Sequence, residues 1–435
     1  MKCNQLYLVI ASLLWMSAFR ASAADEPDPV IVVTPVPQVP AAIPASAEVL
    51  TGKVFESSGI PVSQARSKAP IKLADGINLF ADAGVGVGYD SNVTMAQKGQ
   101  EVGSQVLSLR PTLVAEAKYR SDVYTLAYKG DYTRYPNFDS NKLDNNDFLF
   151  NASNVFDSRA SVFWGLAHQD RYEPIGSTDR SVGSAVPDHY RAQSTNATFR
   201  YGADEATGRI EVDAGMAHKE YLNNRASTAS ADVDTTNYAA RFYYRVASKT
   251  RVLTELRRTT FDYVQDTNFL ENTDVRAYLG ITLDSSSALS GTLKAGQQSK
   301  DFAHDQVRPK YEGFSWEAAI RWKPRSYSTF DLAGGRAAVD PTGTTDIPVV
   351  KGATLSWTHD WASFVHSRVS GGRANTLYRQ TGRHDSEDIY SAGLTYDVRR
   401  WLGLSVEYTF SHRDSNMNNN DYIRRLTMLK LDASF

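Results

Sequence analysis

Five histidines, His168, His218, His359, His366 and His412, fall in stretches that read as strands, and serine hydroxyls are plentiful around them. Those are the raw materials of nucleophilic hydrolysis, which also needs a carboxylate to orient the base. No spacing ties a serine to a histidine to an acid here, so a hydrolytic enzyme stays an alternative and each histidine otherwise reads as a polar group at an interface or facing water. Carboxylates and amides cluster twice, in Asp139-Ser140-Asn141 with Asp144-Asn145-Asn146-Asp147, and in Asp414-Ser415-Asn416 leading to Asp421. Both clusters offer oxygen ligands, but neither has the glycine and terminal glutamate of a calcium loop, and turn formation is the better reading. There is no glycine-rich phosphate loop, and the single cysteine, Cys3, lies in an N-terminal leader. No metal site, cofactor or thiol chemistry is expected.

What remains is charge laid out with a period of two. In Tyr238-Ala239-Ala240-Arg241-Phe242-Tyr243-Tyr244-Arg245-Val246, Phe242, Tyr244 and Val246 share one side while Arg241 and Arg245 share the other. The same parity, applied strand by strand, puts Arg110, Glu116, Lys118, Lys129, Asp131, Lys294, Glu317, Arg321, Glu407, Lys430 and Asp432 with those arginines on a non-lipid face. A lipid-facing charge at a bilayer midplane costs about 2–4 kcal/mol, so these groups must meet water or one another. Two readings stand side by side: the lining of a hydrophilic passage, and salt-bridge ladders that fill a barrel.

The elements that hold such charges are strands. Trp401-Leu402-Gly403-Leu404-Ser405-Val406-Glu407-Tyr408-Thr409-Phe410 alternates apolar and polar residues throughout. Scanning with that template predicts strands at 77–90, 103–118, 122–134, 145–156, 159–172, 190–202, 207–220, 237–247 and 250–263. It continues at 274–283, 288–300, 311–323, 327–338, 349–360, 363–376, 388–398, 401–413 and 421–435. The number is even, as a single-chain bacterial barrel requires when both termini lie on one side. Long polar connections, such as 91–102, 135–144, 173–189, 221–236 and 414–420, alternate with tight turns such as Tyr119-Arg120-Ser121, Asp157-Ser158 and Asp284-Ser285-Ser286-Ser287. That alternation distinguishes a transmembrane up-and-down antiparallel barrel of about eighteen strands from a soluble sandwich. Such a barrel is wide enough for an aqueous channel. Residues 173–189 are a candidate to fold inward and narrow it, although an outer loop is the commoner fate of so long a segment.

Composition agrees. The chain has 435 residues, a formal net charge of −2 and 22% charged residues, which advertises no nucleic-acid partner. Mean hydropathy is −0.40, and beyond the N-terminus no run of about 18 apolar residues predicts a membrane helix. Lys2, the apolar stretch Leu6–Phe19 and the small residues to Ala23 read as a cleaved signal peptide, residues 1–23. Residues 24–70 carry prolines every few positions and read as an extended, disordered periplasmic linker, either a solvated spacer or a partner-binding tail. The barrel is expected over 77–435, in the outer membrane, with the linker and C-terminus in the periplasm.

At the chain end, Leu429, Leu431, Ala433 and Phe435 alternate with Lys430, Asp432 and Ser434. This resembles the C-terminal signal of outer-membrane proteins, with Leu429, Leu431 and Phe435 read by the barrel assembly machinery. Near the start, the glycine-rich strand Gly84-Val85-Gly86-Val87-Gly88-Tyr89 runs into Asp90-Ser91-Asn92-Val93, followed by Tyr128-Lys129-Gly130-Asp131-Tyr132-Thr133-Arg134-Tyr135. Together with the stretch Phe163 to Tyr172, these strands resemble the β-barrel porins encoded with exopolysaccharide biosynthesis genes, the EpsL-like group, over residues 70–435. The resemblance implies no enzyme activity but a role in moving a polysaccharide chain across the outer membrane, as exit pore or as partner of a periplasmic polysaccharide export channel. A general or substrate-selective diffusion porin is the alternative, and a barrel enzyme the third.

Overall fold

The computed structural model describes residues 70–177, 185–283, 288–341 and 346–435. The leader, the proline-rich segment up to residue 69, the turn 284–287 and the middle of the 173–189 segment lie outside the described residues. The strands are Ile71–Ala74 (β1), Ile77–Asp90 (β2), Ser104–Tyr119 (β3), Asp122–Arg134 (β4), Leu143–Val155 (β5), Ala160–Glu173 (β6), Asp188–Tyr201 (β7), Gly208–Tyr221 (β8), Val233–Ala247 (β9) and Thr250–Tyr263 (β10). They continue with Asn272–Leu283 (β11), Leu289–Phe302 (β12), Tyr311–Arg325 (β13), Ser328–Ala338 (β14), Pro348–Ala362 (β15), Val365–Tyr378 (β16), His384–Arg399 (β17), Leu402–Ser415 (β18) and Tyr422–Ser434 (β19). From β2 to β19 each strand pairs antiparallel with the next, and β19 returns to pair with β2. This is a closed barrel of 18 strands with one extra strand. Closure leaves no open edge in hydrocarbon, which is the condition for strands to span a membrane.

The two-residue period sorts the faces as the sequence requires. On β9, Tyr238, Phe242, Tyr244 and Val246 are exposed to the outside, while Ala239 and Tyr243 are buried on the other face. Val85, Leu109 and Leu113 repeat the pattern on β2 and β3. Near the tight-turn end, outward-facing Trp322, Phe330 and Trp357 stack across three strands with centroids 5.2 and 6.1 Å apart, as in an interfacial aromatic belt.

All eighteen predicted barrel strands are present, with shifts at their ends. Strand β9 starts at Val233 rather than 237, because Asp234, Thr235 and Thr236 continue the ladder where polar side chains hide the alternation. The connection before it holds a helical turn, Arg225–Thr228 (α1). Strand β1 was not expected. It hairpins onto β2 through Asp75-Gly76, where Gly76 adopts φ 75° and a Cβ would stand 2.6 Å from the Lys118 carbonyl oxygen. Strand β19 ends opposite Asp82, and the Phe435 N–H reaches the Ala81 carbonyl at 2.8 Å. Strand β1 takes over beside β2 from Leu79 to Ile77, extending the sheet past the last strand.

One departure from a regular wall matters for function. Strand β14 pairs with β13 only as far as Trp316↔Arg336, yet stays paired with β15 to Ala338↔Val349. Neighbouring strand residues point to opposite faces, and here both parities are buried, with Ala337 at 1% and Ala338 at 0% exposure. The described tip of the β14–β15 hairpin has therefore left the wall and has protein on both sides. It packs Ala338, Ile347 and Val349 against Leu270, Phe302, Tyr311 and Tyr263.

Candidate functional site

The concave face holds contacts that skip strands, which only side chains projecting into the barrel can make. On β10 to β13, Glu255, Asp274 and Glu317 interleave with Arg257, Arg276, Lys294 and Lys300. Arg257 spans from β10 to Glu317 on β13 at 3.1 Å. Lys294 bridges Glu255 at 2.7 Å and Glu317 at 2.9 Å. Arg276 grips Asp274 with Nε and Nη2 at 3.0 and 2.9 Å. Lys300, at 0% exposure, reaches Asp340 of the tucked hairpin at 2.5 Å and Asn272 Oδ1 at 2.9 Å. With Asp340 the group has four acids and four bases, so its charge balances, as burial of ions demands.

This lattice is also the dock for the hairpin. Having lost β13, Ala338 turns its backbone to Gln298, which donates to the Ala338 carbonyl at 2.8 Å and accepts its N–H at 2.8 Å. The amide side chain thus stands in for a strand neighbour. Ser315 Oγ donates to the Arg336 carbonyl at 2.7 Å in the same way. Outside the spanning strands, Asp346 accepts from the N–H groups of Gln380 and Thr381 at 3.0 and 2.8 Å. Arg308 donates to Asn268 O at 3.0 Å and Gln380 Oε1 at 3.2 Å, and burial pushes its guanidinium below its usual value. Loops 264–271, 303–310 and 379–383 are thereby tied over the hairpin.

The residues singled out from the sequence all have the concave parity, opposite the exposed apolar rows. Register brings several together. Arg110 and Asp432 approach at 3.5 Å over Gly84, and Lys430 pairs with Glu407. Lys294 meets Glu317, Glu116 meets Lys118 at 3.1 Å, and Arg321 meets Asp331 at 2.6 Å. Arg241 pairs with Asp213, and Arg245 with Glu205 at 2.7 Å. Lys129 and Asp131 lie exposed on β4, with Lys129 opposite Asp147 in the register. The arrangement adds Glu255, Arg257, Asp274, Arg276, Lys300 and Gln298 to the set. Their signal was the same alternation, as in Asp274-Val275-Arg276-Ala277-Tyr278-Leu279.

The histidines and acidic loops find other uses. His366 has one ring nitrogen 2.7 Å from Asp360 and the other 3.1 Å from Asp397, which leaves none to activate a hydroxyl. His359 sits on the outer face between Trp357 and Trp361. Asn141 donates to the Val93 carbonyl at 2.8 Å, Asp144 pairs with Arg134, and Asp421 accepts the Ser415 N–H at 2.6 Å. These are turn and cross-strand bonds. The segment 173–189 shows only its ends, and among the described residues it is the β14–β15 hairpin that folds inward.

The Asp90-Ser91-Asn92-Val93 stretch proves to be a clasp at the seam where the barrel closes. Asp90, at 0% exposure, accepts from Arg424 Nε and Nη2 at 2.9 and 2.7 Å. Asn92 donates to the carbonyls of Ala96 at 2.7 Å and Ile423 at 3.1 Å, and accepts the Ala96 N–H at 3.0 Å. Ser91 exchanges bonds of 2.9 Å with the Arg425 backbone.

A closed antiparallel barrel with an apolar outside and a charged concave face is the architecture of an outer-membrane β-barrel protein. The chain belongs to the family described as "Putative beta-barrel porin 2", whose model matches residues 79–435. No curated protein matches the sequence. Similar solved structures include a BenF-like porin from Pseudomonas fluorescens Pf-5, 10% identical with TM-score 0.47, covering 82% of this chain and 99% of that one. The outer membrane protein OpdK of Pseudomonas aeruginosa is 10% identical with TM-score 0.44, covering 82% and 99%. The FrpB iron transporter of Neisseria meningitidis, F5-1 variant, is 10% identical with TM-score 0.43, covering 82% of each chain.

Proposed function

We propose that the barrel is a conduit for a hydrophilic saccharide, and that this saccharide is a secreted exopolysaccharide leaving the cell. The carrying observation is the concave face: from Arg245 and Arg251 near the tight turns to Asp147 and Arg171 near the long loops, it presents ion pairs, amides and hydroxyls, while the outer face is apolar. In this reading Arg110, Glu116, Lys129, Asp131, Arg241, Arg245, Lys294, Glu317, Arg321, Glu407, Lys430 and Asp432 line the lumen. Strand β1 and the C-terminus lie at the tight-turn end, taken as periplasmic, where the segment preceding β1 would meet a polysaccharide export channel. The likeness of the Gly84–Val93 stretch to exopolysaccharide-cluster porins supports the polymer over other solutes.

The tucked hairpin favours a second reading, a substrate-selective diffusion porin, because a docked constriction admits a small solute more readily than a polymer. One experiment separates the two. A strain lacking the gene, compared with one carrying the intact copy, is expected to lose surface and secreted polysaccharide and to retain polymer in the periplasm. Unchanged polymer with impaired uptake of small solutes would overturn export and leave the porin.

A further inference from the structure

Ion pairs on β10 to β13 balance, but on β7 to β9, toward the tight-turn end, they do not. Arg200 on β7, Arg209 on β8 and Arg241 on β9 all converge on one carboxylate, Glu211, with nitrogen to oxygen distances of 3.0, 3.4 and 3.7 Å. Arg241 also takes Asp213, whose other oxygen accepts the Thr198 hydroxyl at 2.6 Å. Three guanidiniums face two carboxylates. Arg245 and Arg251 stand directly opposite one another just below and both turn to the Asp204 carbonyl, with Glu205 beside Arg245.

Arg209 is the least satisfied of the set. Its side chain is 13% exposed, its buried Nε lies 3.4 Å from Glu211 Oε1 without the geometry of a hydrogen bond, and its guanidinium lies 4.4 Å from the Tyr243 ring centroid. The Nε of Arg241 is likewise buried, 3.7 Å from Glu211 Oε2 and too far for a hydrogen bond. Arg200 lies 5.0 Å over the Phe163 ring. A guanidinium held over an aromatic face still has donors to offer an oxyanion, and a buried donor without a full hydrogen bond is a standing cost that such an anion would remove.

We propose that Arg200, Arg209 and Arg241 form an oxyanion subsite in the conduit, so that the solute carries carboxylate or phosphate groups, as an acidic saccharide does. This rests on the conduit reading above and specifies its substrate class. The Glu211 carboxylate then acts as a holder that spaces the arginines, and each passing anion exchanges with it for their donors.

Purified full-length protein in planar bilayers, under a potassium chloride gradient, tests this. The expected reversal potential has the sign of anion preference. Glucuronate and glucose 6-phosphate are expected to block the current at concentrations where glucose does not, and their relative strength tells carboxylate from phosphate. R200Q and R209Q should move the reversal potential toward zero and weaken the block by the charged sugars; E211Q should move selectivity the opposite way. Conductance steps without anion preference, or equal block by glucose and glucuronate, would overturn the subsite while leaving the conduit intact. Protein that inserts but gives no steps would overturn the conduit and the subsite with it. If a variant fails to fold, the native protein's own selectivity and block decide.

Discussion

Replacing Asp90 by asparagine should loosen the barrel at its seam and nowhere else. Strands β19 and β2 pair only between Leu426↔Asp90 and Ser434↔Asp82, whereas β2 and β3 pair from Ile77 to Asp90. The short ladder is held at one end by Ser434 Oγ donating to Asp82 at 2.5 Å and at the other by Asp90 gripping Arg424. A charge-assisted bond is worth about 1.5–3 kcal/mol, and Asp90→Asn keeps the shape while removing the charge, so a loss of about 2 kcal/mol is expected. Asn92→Ala strands the Ala96 N–H and the Ala96 and Ile423 carbonyls, at about 1–3 kcal/mol for each group that water does not reach. The assay is denaturant unfolding in detergent, in which the midpoint should fall without a change in slope. Locality is read separately. Val87 and Leu429 stand opposite across the seam, and the barrel has no cysteine, so V87C/L429C reports seam pairing by oxidation. Asp90→Asn should slow that crosslink, while Asp385→Asn, which breaks the buried Arg383–Asp385 pair at the start of β17, should not. An unchanged midpoint in both seam variants, or equal slowing by Asp385→Asn, would refute the clasp.

Gln298→Leu removes the only side chain that both donates to and accepts from the Ala338 backbone among the described residues, so the hairpin should release and single-channel conductance rise; unchanged conductance would show that the tuck stands without it. Leu256→Arg places a charge on the outer face mid-strand, where Leu256 is 56% exposed, and should cost about 2–4 kcal/mol in bilayer refolding, against little for Arg257→Lys at the neighbouring concave position. Removing Phe435 should lower membrane insertion more than removing residues 25–60, and equal insertion of the two truncations would sink the C-terminal assembly signal.

Most of the wall was legible because a sheet with lipid on one side enforces its period at every residue. Ile210-Glu211-Val212-Asp213-Ala214 could fold as nothing else in this setting. Strand β1 escaped because four residues are too few for a period, although the Asp75-Gly76 turn beside it was a usable hairpin signal. The tuck left no local mark at all. Leu332-Ala333-Gly334-Gly335-Arg336-Ala337-Ala338 reads like any other strand. What decides the matter is Gln298, 40 residues earlier and two strands away, and no window over β14 contains it.

The clasp carries that point furthest. Within its own window Asp90-Ser91-Asn92-Val93 is a turn-forming stretch, with Asn92 N–H on Asp90 Oδ1 at 3.0 Å, and half of its bonds have no partner until Ile423, Arg424 and Arg425 arrive more than 330 residues later. Contacts of such separation are the slowest to form, because the loop-closure entropy of the whole barrel precedes them. A motif whose turn is already made by local bonds reduces that cost by presenting Asp90 and the Asn92 amide in their final positions while the last strand is still being added. Among the barrel strands, β2 alone is made long before its second neighbour, β19, is added, so its tip is where bonds made in advance help most.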